Sequence, residues 1–252
     1  MLLTIDVGNT TTACALFRSR SIAWRRRVPT PATWSARAQD SLLPLPWAGR
    51  VTAAIVSSVV PRLNRGLGEG LRRACRVRPV FLDSRTPMGL ILRIDHPEEL
   101  GADRIADCVG ALALFPPPLI VIDSGTAITF DLVDRSGDYR GGCILPGIGI
   151  AVQCLADHTA KLKGIEFKIP SSPLGSNTAD CIRAGIFYGY VGALQHLITM
   201  YRRELGRAAK IVATGGMARY FKDRVAGIDL YAPDLIFHGL RRVHEGLPGR
   251  DA

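Results

Sequence analysis

Hydrophobic and polar positions follow two rhythms along the chain. Leu2-Leu3-Thr4-Ile5-Asp6-Val7 is an apolar, β-prone run that stops at Gly8-Asn9-Thr10, and Thr11 to Phe17 resumes as a second β-branched and apolar run. The pattern predicts a hairpin with an acidic residue just before its turn. From Asp6 to Asp123, 117 residues on, the same grammar returns: Leu119-Ile120-Val121-Ile122-Asp123-Ser124-Gly125-Thr126, then Ala127 to Val133. Two such copies predict a duplicated domain. The boundary is placed in Pro116-Pro117-Pro118, where proline interrupts both helix and ladder hydrogen bonding, giving lobes 1–115 and 116–252.

Helical spacing follows the strand groups. Ile105, Cys108, Val109 and Leu112 share one face of a helix that begins near Asp103. A longer helix runs from Thr178 through Ile182, Ile186, Val191 and Leu194 to Met200, and its Gly185, Gly189 and Gly192 predict close packing against another helix. Arg50 to Val60, Val77 to Leu82 and Lys210 to Gly216 read as further strands, and Trp24-Arg25-Arg26-Arg27 as the solvated face of a hairpin. An α/β architecture of two similar lobes with a cleft between them follows.

Composition narrows the class. At about 150 residues per domain, 252 residues make one or two domains; 47% hydrophobic and 21% charged residues are globular values, which excludes extensive disorder and fibrous repeats. The net charge of +10 comes from 27 Arg against 5 Lys, a skew that base composition of the coding DNA produces, so nucleic-acid binding is the less favoured reading. None of the six cysteines has the two-residue spacing of a zinc or redox motif, which predicts buried free thiols. No Lys or Arg precedes the first apolar run and Asp6 interrupts it, unlike a signal peptide. The longest apolar stretch, Cys108 to Ile122, contains the three prolines and cannot be one membrane-spanning helix. A reduced, cytoplasmic protein with no membrane partner is expected.

Candidate chemistry sits at the turns. A Gly- and Thr-rich turn after a buried strand can aim backbone N–H groups and hydroxyls at phosphate oxygens. An Asp just before such a turn makes sense beside phosphates when a cation, usually magnesium, lies between the like charges. There is no P-loop and no dinucleotide Gly-x-Gly-x-x-Gly after a strand. Gly101-Ala102-Asp103-Arg104 puts a carboxylate and a guanidinium in the first turn of a helix. A capping Asp with a solvated Arg is one reading. In the other, Arg104 binds a substrate carboxylate while Asp103 accepts a hydrogen bond from a nucleophilic hydroxyl. A helix-terminal Asp beside Arg is expected to stay ionised and be a weak base, which suits a loose phosphoryl-transfer transition state.

Joined in order, Asp6-Val7-Gly8-Asn9-Thr10, Pro97-x-x-x-Gly101-Ala102-Asp103-Arg104, Asp123-x-Gly125-Thr126-Ala127 and Gly141-Gly142-x-x-x-Pro146-Gly147 resemble the type III pantothenate kinases. Leu174-Gly175-x-Asn177-Thr178, Thr214-Gly215-Gly216 and Pro233-Asp234-Leu235 extend the resemblance over almost the whole chain. It implies the actin-like kinase fold, with duplicated ribonuclease-H-like lobes. It also implies that Asp6, Val7, Gly8, Asn9, Thr10, Thr11, Thr12 and Ala13 form the first phosphate loop, with Asp6 near magnesium through water, and that Thr126 touches ATP from the second lobe. Asp123 would bind a monovalent cation, potassium or ammonium. Gly101, Ala102, Asp103 and Arg104 would hold pantothenate with Asp103 as proton acceptor, Thr178 would be a further substrate contact, and the protein would be a homodimer making 4'-phosphopantothenate. One departure is Ile94, where the family often has an aromatic residue. His96 and His158 are read as a loop histidine and a structural one. The rival readings are a non-catalytic regulator on the same fold and an actin-like kinase or phosphatase acting on a different acid.

Overall fold

The computed structural model describes residues 1–43, 45–158 and 165–248. Up to residue 114 the elements are β1 (Leu2–Val7), β2 (Thr11–Arg18), β3 (Ser21–Pro29), α1 (Ala36–Leu42), α2 (Leu45–Ala48), β4 (Ala53–Ser58), α3 (Pro61–Cys75), β5 (Val80–Phe81) and α4 (Ala102–Leu112). There follow β6 (Leu119–Ser124), β7 (Ala127–Val133), β8 (Tyr139–Pro146), α5 (Ile148–Asp157), α6 (Thr178–Leu205), β9 (Lys210–Thr214), β10 (Leu230–Tyr231) and α7 (Leu235–Glu245). The chain divides into two compact units, Met1–Leu114 with Asp234–Ala252, and Phe115–Pro233.

The two sheets have one topology. The first runs β3-β2-β1-β4-β5 and the second β8-β7-β6-β9-β10, so each strand of one has a counterpart in the other. In both, an antiparallel three-stranded meander meets two parallel strands at the strand that carries the acidic residue. Asp6 stands opposite Ser57 across β1–β4, and Asp123 opposite Thr214 across β6–β9. The repeat at Asp6 and Asp123 is therefore a duplication of whole sheets, beyond a likeness of turns.

The first sheet is covered on both faces. Leu3, Ile5, Val7, Cys14 and Leu16 pack with Leu63, Leu67 and Leu71 of α3 on one side. Ala13, Ala15 and Phe17 meet Phe237 of α7 on the other. Each fully buried large side chain contributes roughly 1.5–3 kcal/mol. The contact of α7 with α4 requires glycine: a β-carbon at Gly239 would run into the Ala106 carbonyl, and one at Gly110 would lie 2.7 Å from that of Leu235. The first unit is thus closed by residues that follow the second in sequence, a discontinuity that a boundary in the proline triplet does not convey.

In the second unit Ile120, Ile122, Ile128 and Phe130 pack with Phe187, Leu194 and Ile198 of α6. Two expectations are corrected. Only Cys14 and Cys108 are buried; Cys75 and Cys143 are half-buried, and Cys154 and Cys181 are exposed because they lie on the outer sides of α5 and α6. Side chains at Gly185, Gly189 or Gly192 would meet open space, so among the described residues no helix packs on that stripe. No described helix is long and apolar enough to cross a membrane.

Candidate active site

In the first unit the β1–β2 turn closes through the Gly8 N–H, which donates to the Thr11 carbonyl at 3.0 Å. Asn9, Thr10 and Thr11 are exposed and Asp6 and Gly8 half-buried, whereas Val7, Thr12 and Ala13 point inward and shape the loop through their backbone. Thr30, just after β3, fastens the turn. Its hydroxyl donates to the Gly8 carbonyl at 2.6 Å and lies 3.0 Å from the Thr12 hydroxyl, while its N–H donates to the Thr10 carbonyl at 2.9 Å. These bonds hold the carbonyls that would repel a phosphate. Ser57 donates to Asp6 Oδ1 at 3.3 Å, fixing that carboxylate against β4. Nothing in the sequence pattern pointed to Thr30, because its contact depends on the strand returning beside the first turn.

The Gly101–Arg104 segment lies beside this loop. Val59, whose N–H donates to the Val7 carbonyl, approaches within 3.6 Å of where a Gly101 β-carbon would be. Gly101 is the N-cap of α4, and Asp103 folds its carboxylate back over it, into space that a β-carbon would occupy. Asp103 Oδ1 accepts the Arg104 N–H at 2.8 Å. Burial raises the Asp103 pKa above the ordinary carboxylate value, and the Arg104 N–H and charge offset this only in part. The expected weak base is thus corrected to a stronger one, since loss of water outweighs the helix terminus and the neighbouring guanidinium. Ala102 is buried and Arg104 half-buried. Ile94 is half-buried; His96 is exposed, its Nδ1 3.5 Å from Glu98, and His158 is an exposed residue ending α5.

In the second unit the Asp123 turn closes through the Gly125 N–H, which donates to the Ala127 carbonyl at 2.9 Å. Thr126 is exposed and its carbonyl accepts the Gly147 N–H at 3.0 Å. Glycines wrap this turn at close quarters. A β-carbon at Gly147 would lie 2.6 Å from the Gly125 carbonyl, and one at Gly215 would meet the Asp123 carboxylate and lie 2.6 Å from the Ser124 carbonyl. Gly215 has φ +85°, and Met217 N–H donates to Ser124 at 3.0 Å. The Thr214-Gly215 signal of the sequence is therefore the wall beside Asp123, and the Gly147 signal packs on the Gly125-Thr126 turn that follows it. The donors gathered there, a half-buried carboxylate with backbone carbonyls nearby, are the hard oxygens an alkali cation takes. Among the described residues no group of three His, Cys, Asp or Glu could hold a metal ion.

Thr178 is the exposed first residue of α6. The helix start is rigid: Asn177 Oδ1 accepts the Asp180 N–H at 3.0 Å, its Nδ2 donates to Asp180 at 2.7 Å, and Gly175 packs on the Cys181 backbone.

A family model described as type III pantothenate kinase matches residues 2–200. Curated relatives named type III pantothenate kinase include those of Myxococcus xanthus, 38% identical over 97% of this chain and 98% of that one, and Moorella thermoacetica, 37% identical over 97% and 99%. Solved structures of similar fold include a putative Baf family transcriptional activator from Campylobacter jejuni, with TM-score 0.58 and 20% identity over 96% of this chain and 97% of that one. Another is a putative N-acetylglucosamine kinase from Porphyromonas gingivalis, with TM-score 0.57 and 12% identity over 98% and 99%. The duplicated units are thus the ribonuclease-H-like halves of the actin-like kinase fold.

Proposed function

The chain belongs to the type III pantothenate kinase family, and on that premise we propose which of its residues carry the reaction. It transfers the γ-phosphoryl group of ATP to the primary alcohol of pantothenate, giving 4'-phosphopantothenate and ADP, the first step of coenzyme A biosynthesis. In our reading Asp103 accepts the proton of that alcohol as the new O–P bond forms and the bond to the β-phosphate oxygen breaks. The observation that carries this role is the half-buried carboxylate at the first turn of α4, whose pKa burial raises. A partly dehydrated base is better matched to an alcohol whose acidity rises only as the phosphoryl group arrives.

Arg104 meets the substrate carboxylate and Thr178 adds a hydroxyl contact. Asp6 to Ala13 present the amides and hydroxyls of the first phosphate loop, and Thr126 gives a contact from the second unit. Magnesium arriving with ATP supplies positive charge to the phosphates, and Asp6 holds its water shell. Asp123 and its glycine wall hold potassium or ammonium. We place the enzyme in the cytoplasm, where exposed Cys154 and Cys181 stay reduced, as a homodimer without a membrane partner.

ADP release coupled to a reporter, measured with pantothenate in potassium and in sodium buffers, tests the reading. Pantothenate-dependent turnover that needs potassium or ammonium is expected. Turnover equal in both buffers would remove the cation role of Asp123, and DNA binding with no turnover would favour a regulator.

A further inference from the structure

At the end of the second sheet opposite Asp123, two adjoining cavities of about 360 and 600 Å³ share Arg203 and Gly206 at the C-terminal turn of α6. Asp123 is about 13 Å away along β6 from Leu119, at ~3.3 Å per residue, so these cavities are separate from the phosphate turn. The smaller is lined by Arg135 and Ser136 and the larger by Gln195, Thr199 and Arg207.

The charges around them are unequally used. Asp134 pairs with Arg140 at 3.1 Å and accepts the Ser136 and Asp138 N–H groups. Arg202 donates to the Gly227 carbonyl at 3.2 Å and lies 3.8 Å from Asp229. Among the described residues, exposed Arg135, Arg203 and Arg207 have no ion-pair partner. Gly206, at φ +102°, gives Arg135 its place: a β-carbon there would lie 2.8 Å from the Arg135 guanidinium.

We propose that this is a second ligand site, built for a small anion bearing more than one phosphate group. Guanidinium forks match phosphate oxygens in pairs, and Arg203, shared by both cavities, with Arg135 in the smaller and Arg207 in the larger suits a ligand that reaches across the two. The larger cavity has the volume of a small-molecule site. Glu204 and Asp134 line the smaller cavity beside Arg135 and Arg203, and these interleaved carboxylates disfavour the continuous phosphate row of a nucleic-acid backbone.

The test is calorimetric titration of the full-length protein and its R203A/R207A variant with inorganic pyrophosphate, in metal-free buffer at 0.1 M salt to screen surface charge. Wild type is expected to take up one equivalent more than the double variant, and R135A to bind that equivalent at least tenfold more weakly. Both variants should keep the wild-type melting temperature and pantothenate turnover, since these side chains are exposed and lie outside the catalytic residues. Identical titrations for wild type and the double variant would overturn the proposal. So would a DNA duplex that binds more tightly than pyrophosphate and is lost in the same variant.

Discussion

Gly215 lies so close to Asp123 that its missing side chain makes room for the Asp123 carboxylate. Gly215 directly follows β9, whose last residue Thr214 stands opposite Asp123 of the parallel strand β6, and the left-handed φ of +85° turns the chain over the acid. A Gly215→Ala variant combines backbone strain with a clash against the Ser124 carbonyl. It is expected to lose roughly 1–3 kcal/mol of stability and most of its turnover. Thermal melting and kcat check this, and a variant with wild-type potassium dependence would separate Gly215 from the cation site.

Asp103→Asn is expected to lower kcat by about 10²- to 10⁴-fold with little change in either KM, because the amide cannot accept the alcohol proton. The wild-type rate should fall with acid at a pH above the ordinary carboxylate value of 3.8, since burial raises the folded-state pKa. For a carboxyl with a raised folded pKa, the cost of the buried charge is absent below 3.8 and complete above the raised value. Asp103→Asn should therefore melt at a higher temperature than wild type near neutral pH, and the gap should close in acid. Melting curves at several pH values measure it; a gap that widens in acid would contradict the burial.

Thr30→Val removes the hydroxyl bonds to Gly8 and Thr12 while keeping the shape of the side chain. It is expected to cost roughly 1–2 kcal/mol and to raise the KM for ATP several-fold with little effect on that for pantothenate. Equal effects on both KM values would mean that Thr30 supports the unit as a whole.

Asn177→Ala takes the cap from α6 and should cost about 1 kcal/mol. Loosening of the first turn displaces Thr178, so the KM for pantothenate should rise while ATP binding is kept. Steady-state kinetics with each substrate varied in turn reads the difference.

The hairpins at Asp6 and Asp123 were legible because each is a local unit, an apolar run, a Gly-Thr turn and a second run, that needs no distant contact to be recognised. Glycine hides an element where it serves packing. In α3, Gly66 and Gly70 admit Trp34, yet three glycines in ten residues obscure a helix in the sequence. In β8, Gly142 lets the strand approach the Phe130 carbonyl, though a Gly-Gly pair reads as a turn. At the site, Asp103 was visible as a motif, but its raised pKa was not, because a sequence shows the neighbouring Arg104 and hides the loss of water. Thr30 and α7 were out of reach for one reason: each acts through contacts made far along the chain.

The place of α7 in the first unit also bears on synthesis. The second unit is one continuous stretch and can complete itself as soon as residue 233 has left the ribosome. The first must wait, with Phe17, Ala106 and Gly110 uncovered, for on the order of ten seconds at usual elongation rates. During that interval the nascent chain exposes an apolar face, and a chaperone that shields it would raise the yield of active enzyme more than one acting on the finished protein.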